Sequence, residues 1–175
     1  MMPTRIERQL AKAQSLGSNY LIGSQIIRDP PDSTVRYTKW LNQLSPDLLA
    51  TRIFTSHGPT ICQPTWFFHR SVYERQGGYI GKRGDPEDET FFLRHVLEFK
   101  GQVARVEEAL VVYRMHDQCM TIMVESETLW RVRLDFLELF ILNEKWKNSS
   151  FSIWSVGKQG RKLFRSLSPV NRDRG

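Results

Sequence analysis

Two adjacent carboxylates, Glu87 and Asp88, and a later histidine, His116, are the residues of this chain best suited to catalysis. An ionised carboxylate can take a proton from a hydroxyl group, and a histidine can bind a metal ion. Transfer of a group from an activated, phosphorylated donor needs both, a base for the acceptor and a metal for the donor phosphates. The pairing therefore predicts a group-transfer site.

The two carboxylates stand in the first turn of a predicted helix. We predict that Asp85 caps this helix, that Pro86 takes its first position, and that apolar residues form one face: Phe91, Phe92, Val96 and Phe99. The helix dipole favours the ionised form of an acid placed there, as a general base requires. It stabilises many purely structural helices in the same way, so both interpretations stay open. The preceding glycines predict a mobile loop that admits a substrate: Gly77, Gly78, Gly81 and Gly84.

His116 follows the second of two predicted short strands, Val103–Val106 and Leu110–Tyr113. A lone histidine at the end of a strand is often only a surface or hydrogen-bonded group. The metal-binding interpretation depends on its pairing with the acidic start of the helix.

Trp66 is the aromatic residue that we single out for ligand binding. It follows Pro64 in an extended segment and precedes the glycine loop, where its ring could stack on a sugar or a base. The other tryptophans are predicted core residues: Trp40, Trp130, Trp146 and Trp154.

Positive charge is concentrated at the C-terminal end of the chain. The net charge is +6, but residues 1–144 carry 17 basic and 18 acidic groups, so the whole excess lies in the last 31 residues. This asymmetry predicts an anionic partner, with nucleic acid as the leading candidate. The predicted contacts are Lys158, Arg161, Lys162 and Arg165, although a merely solvated basic face is an equal alternative. The segment Gly157–Lys162 lacks the spacing of a phosphate-binding loop.

Composition and length limit the class of protein. With 175 residues and 40% hydrophobic content the chain could form one domain of ordinary size. Cys62 and Cys119 are too few for a disulfide framework and predict buried thiols in a reducing compartment. No secretory signal and no apolar run long enough for a bilayer occurs, so we expect a soluble, cytoplasmic protein without membrane contact.

Periodicity and turn residues predict alternating helices and short strands, and therefore an α/β chain. The remaining predicted elements are a helix over Thr4–Gln14, a strand over Tyr20–Ile27, a loop over Arg28–Thr34, a helix over Thr34–Leu44, a short helix from Ser45 through Ile53, a helix over Arg70–Gln76, a long helix over Ser126–Lys145 and a final element over Phe151–Leu167.

Several motifs together resemble the family-2 glycosyltransferases of the GT-A fold. They occur in the order typical of that family: Pro64–Phe67, Gly77–Tyr79, Pro86–Asp88 and Tyr113–His116. Other segments are similar to the subfamily of queuosine-tRNA galactosyltransferases, also called β-1,3-N-acetylglucosaminyltransferase-like proteins: Arg28–Thr34, Arg36–Tyr37, Trp40, Asn42–Leu44, Gly58–Thr60, Ile153–Trp154 and Gly157–Arg161. The resemblance covers nearly the whole chain.

The resemblance implies an inverting sugar transfer that depends on a nucleotide sugar and on Mn²⁺ or Mg²⁺. Asp88 would be the catalytic base, Glu87 would position the acceptor, Trp66 and Gly78 would contribute to the substrate pocket, and His116 would contact the metal or the diphosphate. The implied donor is UDP-galactose or UDP-N-acetylglucosamine, and the implied acceptor is queuosine in a tRNA.

One departure from the family limits this expectation. Members begin with uridine-binding strands that end in an Asp-x-Asp-like motif for manganese, and this sequence contains no such motif. Its residues Met2–Ile6 resemble those that follow the motif. We therefore predict a partial, Rossmann-like GT-A domain: an acceptor-side half over residues 1–120, a C-terminal helical extension with a basic tail over residues 121–175, and little or no activity or metal binding by this fragment alone. The alternative is a non-catalytic tRNA-binding module derived from the same fold.

Overall fold

The computed structural model describes residues 1–54, 58–81, 84–119, 123–154 and 157–175. By its internal contacts the chain divides into two compact units, Met1–Glu125 and Ser126–Gly175. The domain boundary predicted between residues 120 and 121 lies outside the described residues. No helix in the described part of the chain is both long and apolar enough to cross a membrane.

The first unit has the α/β composition that the sequence predicts, built on a mixed sheet. Its elements, in chain order, are α1 (Arg5–Leu16), β1 (Tyr20–Asp29), α2 (Val35–Gln43), a 3₁₀-helix (Pro46–Leu48), a second 3₁₀-helix (Gln63–Thr65), β2 (Phe67–Phe68), α3 (Arg70–Gln76), α4 (Glu87–Leu93) with a π-helical continuation (Arg94–Glu98), and β3 (Gln102–Arg114).

The sheet has the order β2–β1–β3. β1 is parallel to β3 over its whole length, from Tyr20 opposite Gln102 to Asp29 opposite Arg114, and it is antiparallel to β2. A parallel pair requires a crossover connection, which the segment from α2 to α4 supplies. β1 is central and largely buried, as its run of apolar residues predicts.

A bulge between β1 and β3 is held by side chains. The register of the β1–β3 pairing shifts between Ser24 and Gln25 and again between Gln25 and Ile26. At Ile26 the side-chain amide of Asn42 makes hydrogen bonds to the strand backbone. Its Nδ2 donates to the Ile26 carbonyl at 2.9 Å, and its Oδ1 accepts from the Ile26 N–H at 3.0 Å. The extra residues of the bulge are on β3, and Asn42 satisfies both backbone groups of Ile26 on the opposite strand, which limits the loss of hydrogen-bonding energy.

Arg105 of β3 fixes the end of α2 against the sheet. Its guanidinium is buried and donates to the carbonyls of Leu41 and Leu44 and to the carboxylate of Glu107. Two carbonyls at the end of a helix lack partners within it, so the arginine satisfies groups that would otherwise be buried without a donor.

A buried glutamine joins α1 to the other side of the sheet. Gln9 is fully buried and donates from Nε2 to the carbonyls of Thr65, at 2.6 Å, and Ile22, at 3.3 Å. Nearby, Gly23 lets Ile61 approach β1, because a Cβ at Gly23 would lie 2.5 Å from the Cβ of Ile61.

Aromatic packing anchors α4. Phe91 and Phe92 are essentially fully buried, and full burial stabilises such a side chain by roughly 2 kcal/mol. The predicted cap is wrong: α4 begins at Glu87, one residue later than expected, Pro86 precedes it, and no side chain caps its end. Pro86, the residue before the helix, has no backbone N–H that a capping side chain would have to satisfy.

Three other predictions of secondary structure need correction. The two strands expected at Val103–Val106 and Leu110–Tyr113 are one continuous strand, β3, because the bulge accommodates the acidic residues between them. β1 extends through Arg28 and Asp29, which were predicted to lie in a loop. The helix predicted from Ser45 through Ile53 is only a three-residue 3₁₀-helix.

The second unit is helical. It contains α5 (Ser126–Phe136), which continues in π-helical form over Leu137–Lys145, followed by α6 (Lys158–Ser166) and α7 (Pro169–Arg172). The long predicted helix over Ser126–Lys145 is confirmed. In the final predicted element, residues 155 and 156 lie outside the described residues, and the helix begins at Lys158.

Candidate functional site

The candidate site lies where the parallel strands β1 and β3 end. In α/β sheets, ligands bind in the crevice beyond the carboxyl ends of the strands. Arg28 and Tyr113 are paired at this end of the sheet, and His116 follows β3 just beyond it. The site therefore combines residues from β1, β3 and the elements that cross over between them.

Arg28 is the most unusual residue at this end of the sheet. It is only 6% exposed. Its guanidinium carbon lies over the Tyr113 ring, 4.1 Å from the centroid, and 5.4 Å from the centroid of the Tyr37 ring. Its Nε and Nη1 have no hydrogen-bond partner among the described residues.

Tyr37 and Cys62 lie beside Arg28. Cys62 belongs to a core cluster with Ile26 and Val111, and Tyr37 packs against that cluster. Burial raises the pKa of the Cys62 thiol to about 11 and raises the pKa of Tyr37 well above its usual value. Cys62 is therefore a neutral core thiol, in agreement with the prediction that it is buried.

Asp88 is electrostatically coupled to this cluster. Its negative charge acts to raise the pKa of Tyr37, of Cys62 and of Tyr79, and the charge of Glu87 also acts to raise the pKa of Tyr79. Both carboxylates are partly exposed, and one oxygen of Asp88 accepts a hydrogen bond from the Glu89 N–H at 2.8 Å. The fold thus brings Asp88 close to residues that are far from it in sequence.

Trp66 is part of the core. It is 9% exposed, its Nε1 donates to the Ile61 carbonyl at 3.0 Å, and its ring packs on Phe91 and Phe92. The residue therefore supports the helix that carries Asp88. An open aromatic platform at this position is not what the structure has, and the contact of Trp66 with a sugar stays a prediction.

Gly78 has a clear conformational role. Its φ is +84°, in the left-handed region, and a Cβ there would lie 2.8 Å from the Tyr73 hydroxyl. Its part in substrate binding stays a prediction.

The following residue, Tyr79, was missed as a site residue by sequence reasoning, although the Gly77–Tyr79 motif contained it. It is 41% exposed and packs on Phe91 at 4.8 Å between ring centroids. Burial raises its pKa, and the charge of Asp88 acts in the same direction. Tyr79 is the accessible aromatic side chain beside the two carboxylates.

His116 is exposed, and its Nδ1 accepts a hydrogen bond from the Gln118 N–H at 3.2 Å. In the described part of the chain, no three His, Cys, Asp or Glu side chains are grouped so that they could hold a metal ion. His116 is therefore not part of such a group among the described residues, and its contact with a metal ion or a diphosphate stays a prediction.

The four predicted nucleic-acid contacts occupy helix α6 at positions that share one face. Lys158, Arg161 and Arg165 are exposed. Lys162 is engaged within its own unit, because its ammonium lies 2.7 Å from the Glu127 carboxylate and 4.5 Å from the centroid of the Trp130 ring. Lys162 is therefore a structural residue, at least in part.

Comparison with known proteins adds no family. No protein-family profile matches the chain, and no solved structure matches it. The assignment to the family-2 glycosyltransferases therefore rests on the sequence motifs and remains a proposal.

Proposed function

We propose that this chain is the acceptor-side part of an inverting, nucleotide-sugar-dependent glycosyltransferase, with a queuosine-bearing tRNA as acceptor. The observation that supports it best is the position of Asp88. This partly exposed carboxylate acts electrostatically on an accessible tyrosine, Tyr79, and on Tyr37, whose ring lies beside the guanidinium of Arg28 near the carboxyl end of β1. A base and an aromatic surface at that place are suited to binding a hydroxyl-bearing acceptor.

In the proposed reaction Asp88 takes the proton of the acceptor hydroxyl. The hydroxyl oxygen then forms a bond to the anomeric carbon of the sugar, and the bond from that carbon to the diphosphate breaks. The nucleoside diphosphate leaves with the bonding electrons, and the configuration at the anomeric carbon inverts. Glu87, partly exposed beside Asp88, positions the acceptor. The donor is UDP-galactose or UDP-N-acetylglucosamine.

The basic face of α6 supports tRNA as the acceptor. Lys158, Arg161 and Arg165 are exposed on it, and such a face binds phosphates without reading sequence. The same observation favours the second candidate function, a non-catalytic tRNA-binding module. The two functions differ in what they require of Asp88, since only the glycosyltransferase needs it at the acceptor hydroxyl.

Acceptor discrimination tests the proposal. The affinity of the chain is measured at one fixed salt concentration for the same tRNA with and without queuosine, since electrostatic affinities change steeply with salt. We expect tighter binding of the queuosine form, and loss of that preference in Asp88→Asn. Asp173→Asn, which removes the same charge from an exposed position in the second unit, is the matched control.

Lys158→Ala and Arg165→Ala should weaken the binding of both tRNAs equally. Equal affinity of the wild-type chain for the two tRNAs would reject the acceptor site and favour the non-catalytic module.

A further inference from the structure

The sheet contains two buried arginines, Arg28 and Arg105, that differ in the number of hydrogen bonds made by their guanidinium groups. Arg105, 4% exposed, has hydrogen-bond partners for Nε, Nη1 and Nη2. Arg28, 6% exposed, has none for Nε and Nη1 among the described residues, and no described carboxylate forms an ion pair with it. Arginine is almost never buried without a partner, because desolvating an unpaired charge is costly.

The aromatic neighbours of Arg28 do not replace those partners. The hydrogen bonds of a guanidinium lie in its plane, whereas the rings of Tyr113 and Tyr37 interact with the cation through their faces. The two tyrosines hold the group in place, and the N–H donors of Nε and Nη1 stay without a hydrogen-bond partner among the described residues. A rigid, preoriented guanidinium of this kind is suited to a planar or tetrahedral oxyanion.

We propose that Arg28 binds a phosphate group of a small-molecule ligand, such as the diphosphate of a nucleotide, at the carboxyl ends of β1 and β3. Its place in the sheet is where α/β folds bind ligands. Its burial favours a small anion that can enter the site over the phosphates of a nucleic acid, which are contacted at the surface. The site depends on the geometry of Arg28 alone and holds whether or not the chain takes part in sugar transfer.

Side-chain NMR tests this site directly on the 175-residue chain. The Arg28 Nε–Hε resonance, assigned by its disappearance in Arg28→Lys, is followed during titration with inorganic pyrophosphate, with UDP and with a single-stranded RNA oligonucleotide. We expect pyrophosphate and UDP to shift it, and Arg28→Lys to bind both at least about tenfold more weakly, as expected for loss of a charge-assisted hydrogen bond.

Arg8→Lys, at an exposed arginine of α1, is the matched control and should bind like the wild type. Affinities of Arg28→Lys within about twofold of the wild type, or a response to RNA alone, would overturn the proposal.

Arg28→Met separates a binding role from a structural role. An unpaired buried charge stabilises no fold, so we expect this variant to melt at the wild-type temperature or above it in the absence of ligand. Pyrophosphate should raise the melting temperature of the wild type and leave that of Arg28→Met unchanged. A variant that unfolds well below the wild type without ligand would show that Arg28 is structural and would overturn the assignment.

Discussion

The side-chain amide of Asn42 makes both hydrogen bonds to the backbone of Ile26, at 2.9 and 3.0 Å, at the point where β1 is irregular. A side chain of helix α2 thus supplies both hydrogen bonds of one residue in strand β1. Beyond this point β1 continues to Arg28 and Asp29, so the contact fixes the part of the strand that carries the candidate site.

Asn42→Asp should destabilise the protein by about 1–3 kcal/mol, because a carboxylate accepts from the Ile26 N–H but cannot donate to the Ile26 carbonyl. The free energy of unfolding in urea measures this cost. Asn148→Asp, at an exposed position, is the control for the change in charge. Equal stability of the Asn42 variant and the wild type would show that the amide does not hold the bulge.

Gly78→Ala should cost more stability than Gly77→Ala. Both glycines have positive φ, so each substitution carries the penalty of about 1 kcal/mol for a left-handed alanine. Only at Gly78 does the new methyl group meet other atoms, the Tyr73 hydroxyl at 2.8 Å and the ring carbon Cζ at 3.0 Å, whereas nothing lies within 4 Å at Gly77. The difference in unfolding free energy between the two variants isolates the steric contribution.

Tyr73→Phe tests the cause of that difference, because it removes the hydroxyl that the methyl group would meet. In this background the loss of unfolding free energy caused by Gly78→Ala should approach the loss caused by Gly77→Ala. An unchanged difference would place the strain elsewhere.

The second unit should lose stability in acid through Glu138. Burial acts to raise the pKa of this carboxyl, but the hydrogen bonds that Asn171 and Ser168 donate to it outweigh burial, and its pKa is lowered. A lowered pKa in the folded state means that the stabilisation is complete above the usual pKa of a glutamate. It is then lost as the pH falls through the folded value.

The amide resonance of Ser168, recorded as a function of pH, reports this titration. We expect a midpoint below the usual pKa range of a glutamate, and no such transition in Glu138→Gln. A midpoint within or above that usual range would contradict the assignment.

Local patterns predicted most of the elements of the chain. Helix α3 was predicted with its observed bounds, because Gly77 ends it in the left-handed conformation. β1, α1, α2 and the long helix of the second unit followed from their apolar spacing. The strand β3 was divided in two because Glu107 and Glu108 interrupt its apolar pattern, and the pairing with β1 that accommodates the interruption is a tertiary contact.

The site was predicted only in part. Acids at the start of a helix are visible in a sequence, and the structure confirms that Asp88 and Glu87 lie in the first turn of α4, whereas their catalytic roles stay predictions. Arg28 was assigned to a loop because two prolines follow it closely, although the strand ends only at Asp29. Its position between Tyr37 and Tyr113 depends on the pairing of β1 with β3, which brings together residues distant in sequence. No local spacing contains that information.

The measurement that tests the central claim most directly is sugar transfer by the protein as it is isolated from its own cells. UDP-galactose and a queuosine-bearing tRNA are the substrates, and the Asp88→Asn variant, expressed and isolated in the same way, is compared with the wild type. We predict transfer by the isolated protein, in which the acceptor-side part acts together with the donor-binding part that the resemblance implies, and a rate at least about a hundredfold lower in the variant, as loss of a general base requires, with tRNA binding retained. Absence of transfer by the wild type, or an equal rate in Asp88→Asn, would contradict the account.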